Sequence, residues 1–305
     1  MPSNNARDII FYHVLEHMKQ DKDYFVVNAD FVGRPLIAIK KMFPERFIQV
    51  GIAEQNMIAI ASGLALSGKR VITFSPSPFV YLRAYDQLRN AIAEMNLPVT
   101  VVANGMGLTN PAYGSTHFTT EDYQMISLLP NVEMLTVVDE PMAKRVASYL
   151  TAKREGPTYV RVDFGCDGCL PEAGCDFEKG FRILRSGSGT LLIVQGYSAK
   201  TALKNSYPSE PTILEIFRRP FDWEALLREM KQYSRVIACE EQQLRGGLGS
   251  ELLERIHESG AGIRLERKGI DYGAGFPCTF GSREYWMKQY AVDEEHLRKC
   301  VSAPQ

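Results

Sequence analysis

Glu54 stands where an uncharged stretch begins. Gly51-Ile52-Ala53-Glu54-Gln55-Asn56-Met57 leads straight into Ile58-Ala59-Ile60-Ala61-Ser62-Gly63-Leu64-Ala65-Leu66. The second segment is apolar on nearly every helical face, which predicts a helix over 53–67 buried in the body of a domain. A carboxylate in its first turn gains from the helix dipole, whereas burial without partners would cost it. Two roles are open to it: satisfying free backbone N–H groups at the helix start, or acting as a catalytic acid. A second feature, Gly246-Gly247-Leu248-Gly249, reads either as a phosphate cradle or as glycines that let a strand and a helix pack closely. A third, Cys166-Asp167-Gly168-Cys169 with Cys175, starts like a metal knuckle. A structural zinc takes four ligands, and no fourth Cys or His lies near in sequence, which favours a loop with incidental thiols.

The elements that must position such groups follow from periodicity. Short β-branched runs alternate with longer amphipathic stretches, the pattern of parallel strands joined by helical crossovers. Strands are expected near 25–28, 47–50, 71–74, 99–103, 132–137 and 159–162, with helices near 9–19, 53–67, 82–95, 121–128 and 142–154. Residues 164–180, rich in Gly and Cys with a Pro, have no period and read as a linker. A second α/β unit follows, with strands near 191–194, 212–216 and 236–239 and helices near 223–232 and 249–259. The expected fold is therefore α/β in two domains, each a mostly parallel sheet flanked by helices, with boundaries at 1–163, 164–180 and 181–305. In open sheets of this kind ligands sit beyond the carboxyl ends of the strands, so the loops to inspect are 30–34, 51–56, 75–83 and 105–117.

Composition narrows the partners. The 305 residues carry 35 Lys+Arg against 36 Asp+Glu, a net charge of -1, which gives no global electrostatic case for nucleic acid or an anionic membrane. Hydrophobic residues at 45% and charged residues at 23% are ordinary for a globular chain and argue against long disorder. The longest apolar run, 57–66, is about half of what a membrane-spanning helix needs. No secretory signal is visible and the six cysteines are too sparse for a disulfide scaffold, so reduced thiols and a cytoplasmic location are expected.

The segment Arg46-Phe47-Ile48-Gln49-Val50-Gly51-Ile52-Ala53-Glu54-Gln55-Asn56-Met57 resembles the pyrimidine-domain motif of transketolases and their thiamine diphosphate-dependent relatives. Arg83-Ala84-Tyr85-Asp86-Gln87, Gly114-Ser115-Thr116-His117, Leu129-Pro130-Asn131-Val132 and Gly156-Pro157-Thr158-Tyr159-Val160-Arg161 follow in the family's order. Glu240 with Gly246-Gly247-Leu248-Gly249-Ser250 is similar to the hallmark of the family's C-terminal domain. The resemblance spans roughly 7–301.

That resemblance implies a set of roles. Glu54 would contact the cofactor's aminopyrimidine ring and control a proton there, and Phe79 would stack on the ring. Arg83 and Asp30 complete the implied cofactor contacts. Arg7, Arg34, Tyr113, His117 and Arg161 are the implied substrate contacts, His117 also serving at the reaction centre. The Gly-Asp-Gly motif with which full-length relatives hold the diphosphate and its Mg²⁺ does not occur in the chain. The resemblance thus implies the C-terminal subunit of a split transketolase, paired with a separate N-terminal subunit that carries the diphosphate and metal, as a heterotetramer acting on sugars or sugar phosphates. Two positions depart from the phosphosugar pattern. Tyr113 stands where most transketolases have Asp, and Ala103-Asn104-Gly105-Met106 ends a strand that usually supplies a phosphate-binding His. The alternatives are a β-subunit of a 2-oxo acid dehydrogenase, which shares the Gly-x-Ala-Glu-Gln motif, and a non-catalytic regulatory paralogue.

Overall fold

The computed structural model describes residues 5–30, 33–152, 155–164, 169–171, 175–273 and 275–303. Cys166 of the expected thiol-bearing loop lies outside the described residues. Among those described, no group of three or more His, Cys, Asp or Glu could hold a metal. The chain forms two compact units: Met1–Gly105 with Met125–Cys169, and Met106–Gln124 with Leu170–Gln305.

The first unit runs α1 (Ala6–Met18), β1 (Tyr24–Asn28), α2 (Arg34–Met42), β2 (Phe47–Gln49), α3 (Glu54–Leu66), β3 (Arg70–Pro76), α4 (Tyr85–Gln87) and β4 (Val99–Asn104). The chain re-enters it through α5 (Asp122–Ser127) and continues as β5 (Glu133–Val137), α6 (Glu140–Thr151) and β6 (Thr158–Val162). Its strands lie in the order β5-β6-β4-β3-β1-β2, and every one of these pairs is parallel. β4, Val-Thr-Val-Val-Ala-Asn, is buried along its whole length, as a strand covered on both faces must be. On one face Phe11 of α1 meets Phe74 of β3 edge-on, ring centroids 5.4 Å apart. The chain steps from β1 out to β2 and then back across β1 to β3, so the strand order reverses around β1, where α/β sheets open a crevice at the strands' carboxyl ends.

Two of the expected helices take another form. α3 buries Glu54, Met57, Ile58, Ala61, Ser62 and Ala65. Gln55, Asn56, Ala59, Gly63 and Leu66 are exposed, so the helix is not covered on all sides. Composition counts apolar residues without saying which of them another element will cover, and small residues leave this face low in relief. The single helix expected over 82–95 is instead two π-helical stretches, Phe79–Arg83 and Leu88–Ala93, on either side of α4. The Glu94 N–H reaches back five residues to the Arg89 carbonyl at 2.8 Å. Such wide turns rotate side chains away from α-helical register and are frequent at functional sites.

The second unit contains β7 (Phe181–Arg185), β8 (Thr190–Val194), α7 (Tyr197–Lys204), β9 (Thr212–Ile216), the short β10 (Arg218–Arg219), α8 (Trp223–Met230), β11 (Arg235–Gln243), α9 (Leu248–Ser259), β12 (Leu265–Ile270), α10 (Arg283–Gln289) and α11 (Glu294–Ser302). Its sheet has the order β12-β11-β8-β9-β7, parallel except for the antiparallel pair β7–β9. Met106–Gln124 packs with this second unit. The reason is backbone bonding. Gly107 and Thr119 exchange N–H···O bonds of 2.8 Å, and the Gln243 N–H at the end of β11 donates to the Thr120 carbonyl at 2.8 Å. The excursion satisfies its polar groups on β11, as any buried backbone must.

Candidate active site

Glu54 is the first residue of α3 and only 2% exposed. Gly51, with φ +75°, makes the turn between β2 and that helix, a conformation suited to glycine. Both carboxylate oxygens have partners. The Arg83 Nη1 donates to Oε2 at 2.7 Å, and the Ser75 hydroxyl, from the carboxyl end of β3, donates to Oε1 at 3.3 Å. The Arg83 guanidinium also lies 4.8 Å over the Phe79 ring. The π-helical turn at Phe79–Arg83 is what brings ring and guanidinium to the head of α3. Three of the residues named from sequence, Glu54, Phe79 and Arg83, therefore form one cluster. Ser75 joins it, and its only sequence signal was its place at a strand's carboxyl end.

Arg7 occupies the other face of the same sheet. Its Nε donates to Asp8 Oδ1 at 2.7 Å, and its guanidinium lies 5.7 Å over the Phe74 ring. Gly33, the residue before α2, suits this approach because a Cβ there would fall 2.9 Å from Arg7 Nη2. Arg7 is thus laid against the start of α2, whose first residue, Arg34, is exposed. Asp30 is exposed just beyond β1. Arg161 is placed differently from an open substrate contact: it is 1% exposed on β6, and its Nη1 donates to the Thr136 hydroxyl at 3.3 Å on neighbouring β5.

The second unit presents Tyr113 and His117. Two 3-10 turns, Pro111–Tyr113 and Ser115–His117, are joined at Gly114, whose φ of +76° favours glycine. A Cβ on Gly114 would also sit 3.1 Å from the Phe280 ring, a close approach absent from the sequence reading. The Tyr113 ring, 65% exposed, stands 5.0 Å from the His117 ring at a 33° tilt. His117 Nδ1 and the Thr116 hydroxyl are 3.0 Å apart. Burial lowers the imidazole pKa below its ordinary value, which favours the neutral ring.

The glycine-rich turn of the second unit is already filled. Glu240, 2% exposed on β11, accepts the N–H of Leu248 at 2.8 Å and of Gly249 at 2.7 Å, the first two amides of α9. A Cβ on Gly247 would lie 2.7 Å from the Glu240 carboxylate. The anion that a helix N-terminus attracts is here the protein's own side chain. This arrangement bears out close strand-to-helix packing.

The family described as transketolase, pyrimidine binding domain, matches residues 7–163. A protein of Methanocaldococcus jannaschii named as a putative transketolase C-terminal section is 32% identical over 94% of this chain and 92% of its own length. An apulose-4-phosphate transketolase subunit from Actinobacillus succinogenes is 30% identical over 97% of this chain and 96% of its own length. A 1-deoxy-D-xylulose-5-phosphate synthase of Thioalkalivibrio sulfidiphilus is 32% identical over 89% of this chain, which spans 42% of that enzyme. A solved structure titled as an inactive β4 tetramer of a split-gene transketolase shares the fold, with a TM-score of 0.82, 24% identity, and coverage of 97% and 96% of the two chains.

Proposed function

The chain belongs to the transketolase family, and from that premise we propose that it is the C-terminal subunit of a split, thiamine diphosphate-dependent transketolase that moves a two-carbon ketol unit between sugars. The observation that carries the reading is the buried Glu54 carboxylate at the head of α3, with Arg83, Ser75 and Phe79 around it. This donor set suits an aminopyrimidine. Glu54 Oε1 takes a long hydroxyl contact of 3.3 Å and has capacity to accept a further hydrogen bond from a ring N–H. Phe79 offers a flat apolar surface for the ring.

When bound, thiamine diphosphate supplies the carbanion chemistry that side chains lack. Glu54 holds the proton on the pyrimidine nitrogen, with Ser75 and Arg83 fixing its orientation. His117, neutral under ordinary conditions, donates or accepts a hydrogen bond at a substrate oxygen as charge develops there. The diphosphate and Mg²⁺ fall to a separate N-terminal subunit in this reading, which the names of the Methanocaldococcus and Actinobacillus relatives, a transketolase C-terminal section and a transketolase subunit, support. A heterotetramer of two subunits of each kind is the corresponding assembly in this reading. The Actinobacillus relative's name also offers apulose 4-phosphate as the first substrate to try. A 2-oxo acid donor is the second reading, favoured by Tyr113 in place of an acidic reader of donor hydroxyls.

Among the described residues, no helix is long and apolar enough to cross a membrane. Calorimetry tests the split-enzyme reading directly. Thiamine diphosphate with Mg²⁺ should bind tightly only after the N-terminal subunit is added. Tight metal-dependent binding by this chain alone would overturn it.

A further inference from the structure

Glu241 is 4% exposed near the end of β11 and gathers three donors. Arg283, the first residue of α10, forks onto it, Nε to Oε1 at 3.1 Å and Nη2 to Oε2 at 2.5 Å, while its guanidinium stacks 3.7 Å over the Tyr197 ring. The third donor is the Leu108 N–H, 3.2 Å from Oε2. Gly107 permits that approach: its φ is +57°, and a Cβ would collide with the same oxygen. The far side of the excursion is held as well. The Thr119 carbonyl accepts the Gly107 N–H and Gln242 Nε2, at 2.8 and 3.0 Å. Phe118 meets Trp286 edge-on, centroids 5.6 Å apart. Arg283 and Trp286 are three residues apart on α10 and so share a face.

His117 lies between these two anchors. Its own turn is closed by local bonds, such as His117 N–H to the Gly114 carbonyl at 3.0 Å. We propose that Glu241 and Arg283 are positioning residues for His117, so that the second unit, far from being an appendage, sets where the histidine stands. Bidentate, charge-assisted bonds in a mostly buried place are the strong and directional ones, and losing one partner strands the other. The inference rests on the proposed function only in giving His117 a reaction to serve.

Hydrogen exchange on the full chain tests it without any activity. Glu241→Ala should speed exchange across 106–121 at least ~10-fold, because a charged, desolvated bond is lost, while β8 and β9 stay protected. The imidazole of His117, followed by NMR, should titrate nearer its ordinary value. Arg283→Lys should keep part of both, and Glu241→Gln should serve where Ala fails to fold. Unchanged exchange and titration, or exchange raised uniformly through the unit, would overturn the inference. In the complex with an N-terminal subunit, Glu241→Gln should lower kcat with little change in KM. A wild-type complex with no transferase activity would sink the proposed function, and exchange would still decide this inference.

Discussion

Arg83 Nη1 and Glu54 Oε2 are 2.7 Å apart, so the carboxylate at the head of α3 begins with a cation on one oxygen and a hydroxyl on the other. The Arg83 side chain is 44% exposed and Glu54's is 3% exposed. An ion pair half in water contributes little to folding; its value lies in aim.

Glu54→Gln should therefore fold normally and fail at chemistry. Gln keeps the shape and can still accept from Arg83, but it has no acid to place on the pyrimidine. Turnover in the reconstituted complex should fall at least ~100-fold, the usual scale for a lost acid–base group, with an unchanged melting curve. A variant that turns over at the parent rate would leave Glu54 as a helix-start residue only.

Tyr113→Asp should shift donor preference. The ring is exposed and meets the His117 ring at the surface, so its removal disturbs no core. Aspartate restores a charged acceptor for a sugar hydroxyl, a bond worth about 1.5–3 kcal/mol. Efficiency with ordinary ketose phosphates should rise about tenfold or more at the expense of the native donor. Steady-state kinetics on ketose phosphates, deoxyketoses and 2-oxo acids would show it, and an unchanged ranking would mean that Tyr113 does not face the donor.

Glu240→Ala should destabilise the second unit. It strands the Leu248 and Gly249 amides, both buried at the start of α9, at a cost of about 2–3 kcal/mol. Urea unfolding with an unchanged slope measures this. An unaltered midpoint would mean that water replaces the carboxylate freely.

Acid should weaken the first unit through His17. Burial first, then the Arg70 and His13 charges, lower its pKa below the ordinary 6.5. Its Nε2 lies 2.6 Å from Arg70 Nη2, and Arg70 is ion-paired to Asp21. The unfolded chain binds this proton more readily than the folded one, so stability falls as pH drops below 6.5 and levels off below the folded value. Carboxylates held below their ordinary values, such as Glu251 and Asp293, act at lower pH and leave the window distinct. His17→Gln should flatten the dependence between about pH 6.5 and 5, as read by chemical denaturation. An equally steep curve would assign the effect elsewhere.

Glu54 and the helix it opens were legible because an apolar run with a carboxylate at its head has few other readings. β12 was not, since Leu-Glu-Arg-Lys-Gly-Ile is half charged and only its last two residues are buried. The antiparallel β7 follows a glycine-rich stretch and has no crossover helix to announce it. α10 and α11 are short, and each buries only two residues. The site was legible at Glu54 from its own run, whereas Arg83 was named only through the family resemblance, its wide turn leaving no period in the sequence. It was hidden where partners are remote in sequence: no pattern near residue 108 announces that residue 241 will take its amide.

The chain leaves the first unit at Gly105, returns at Met125 and leaves again at Cys169. Three covalent crossings join the halves where a simple tandem would have one. A cut in the glycine- and cysteine-rich stretch near 169 would therefore divide the second unit against itself: the N-terminal fragment would keep the strip Met106–Gln124, and the C-terminal fragment would leave the end of β11 without the Thr120 carbonyl it bonds. The second unit thus owes one of its segments to a part of the chain that is spelled out before the first unit is finished.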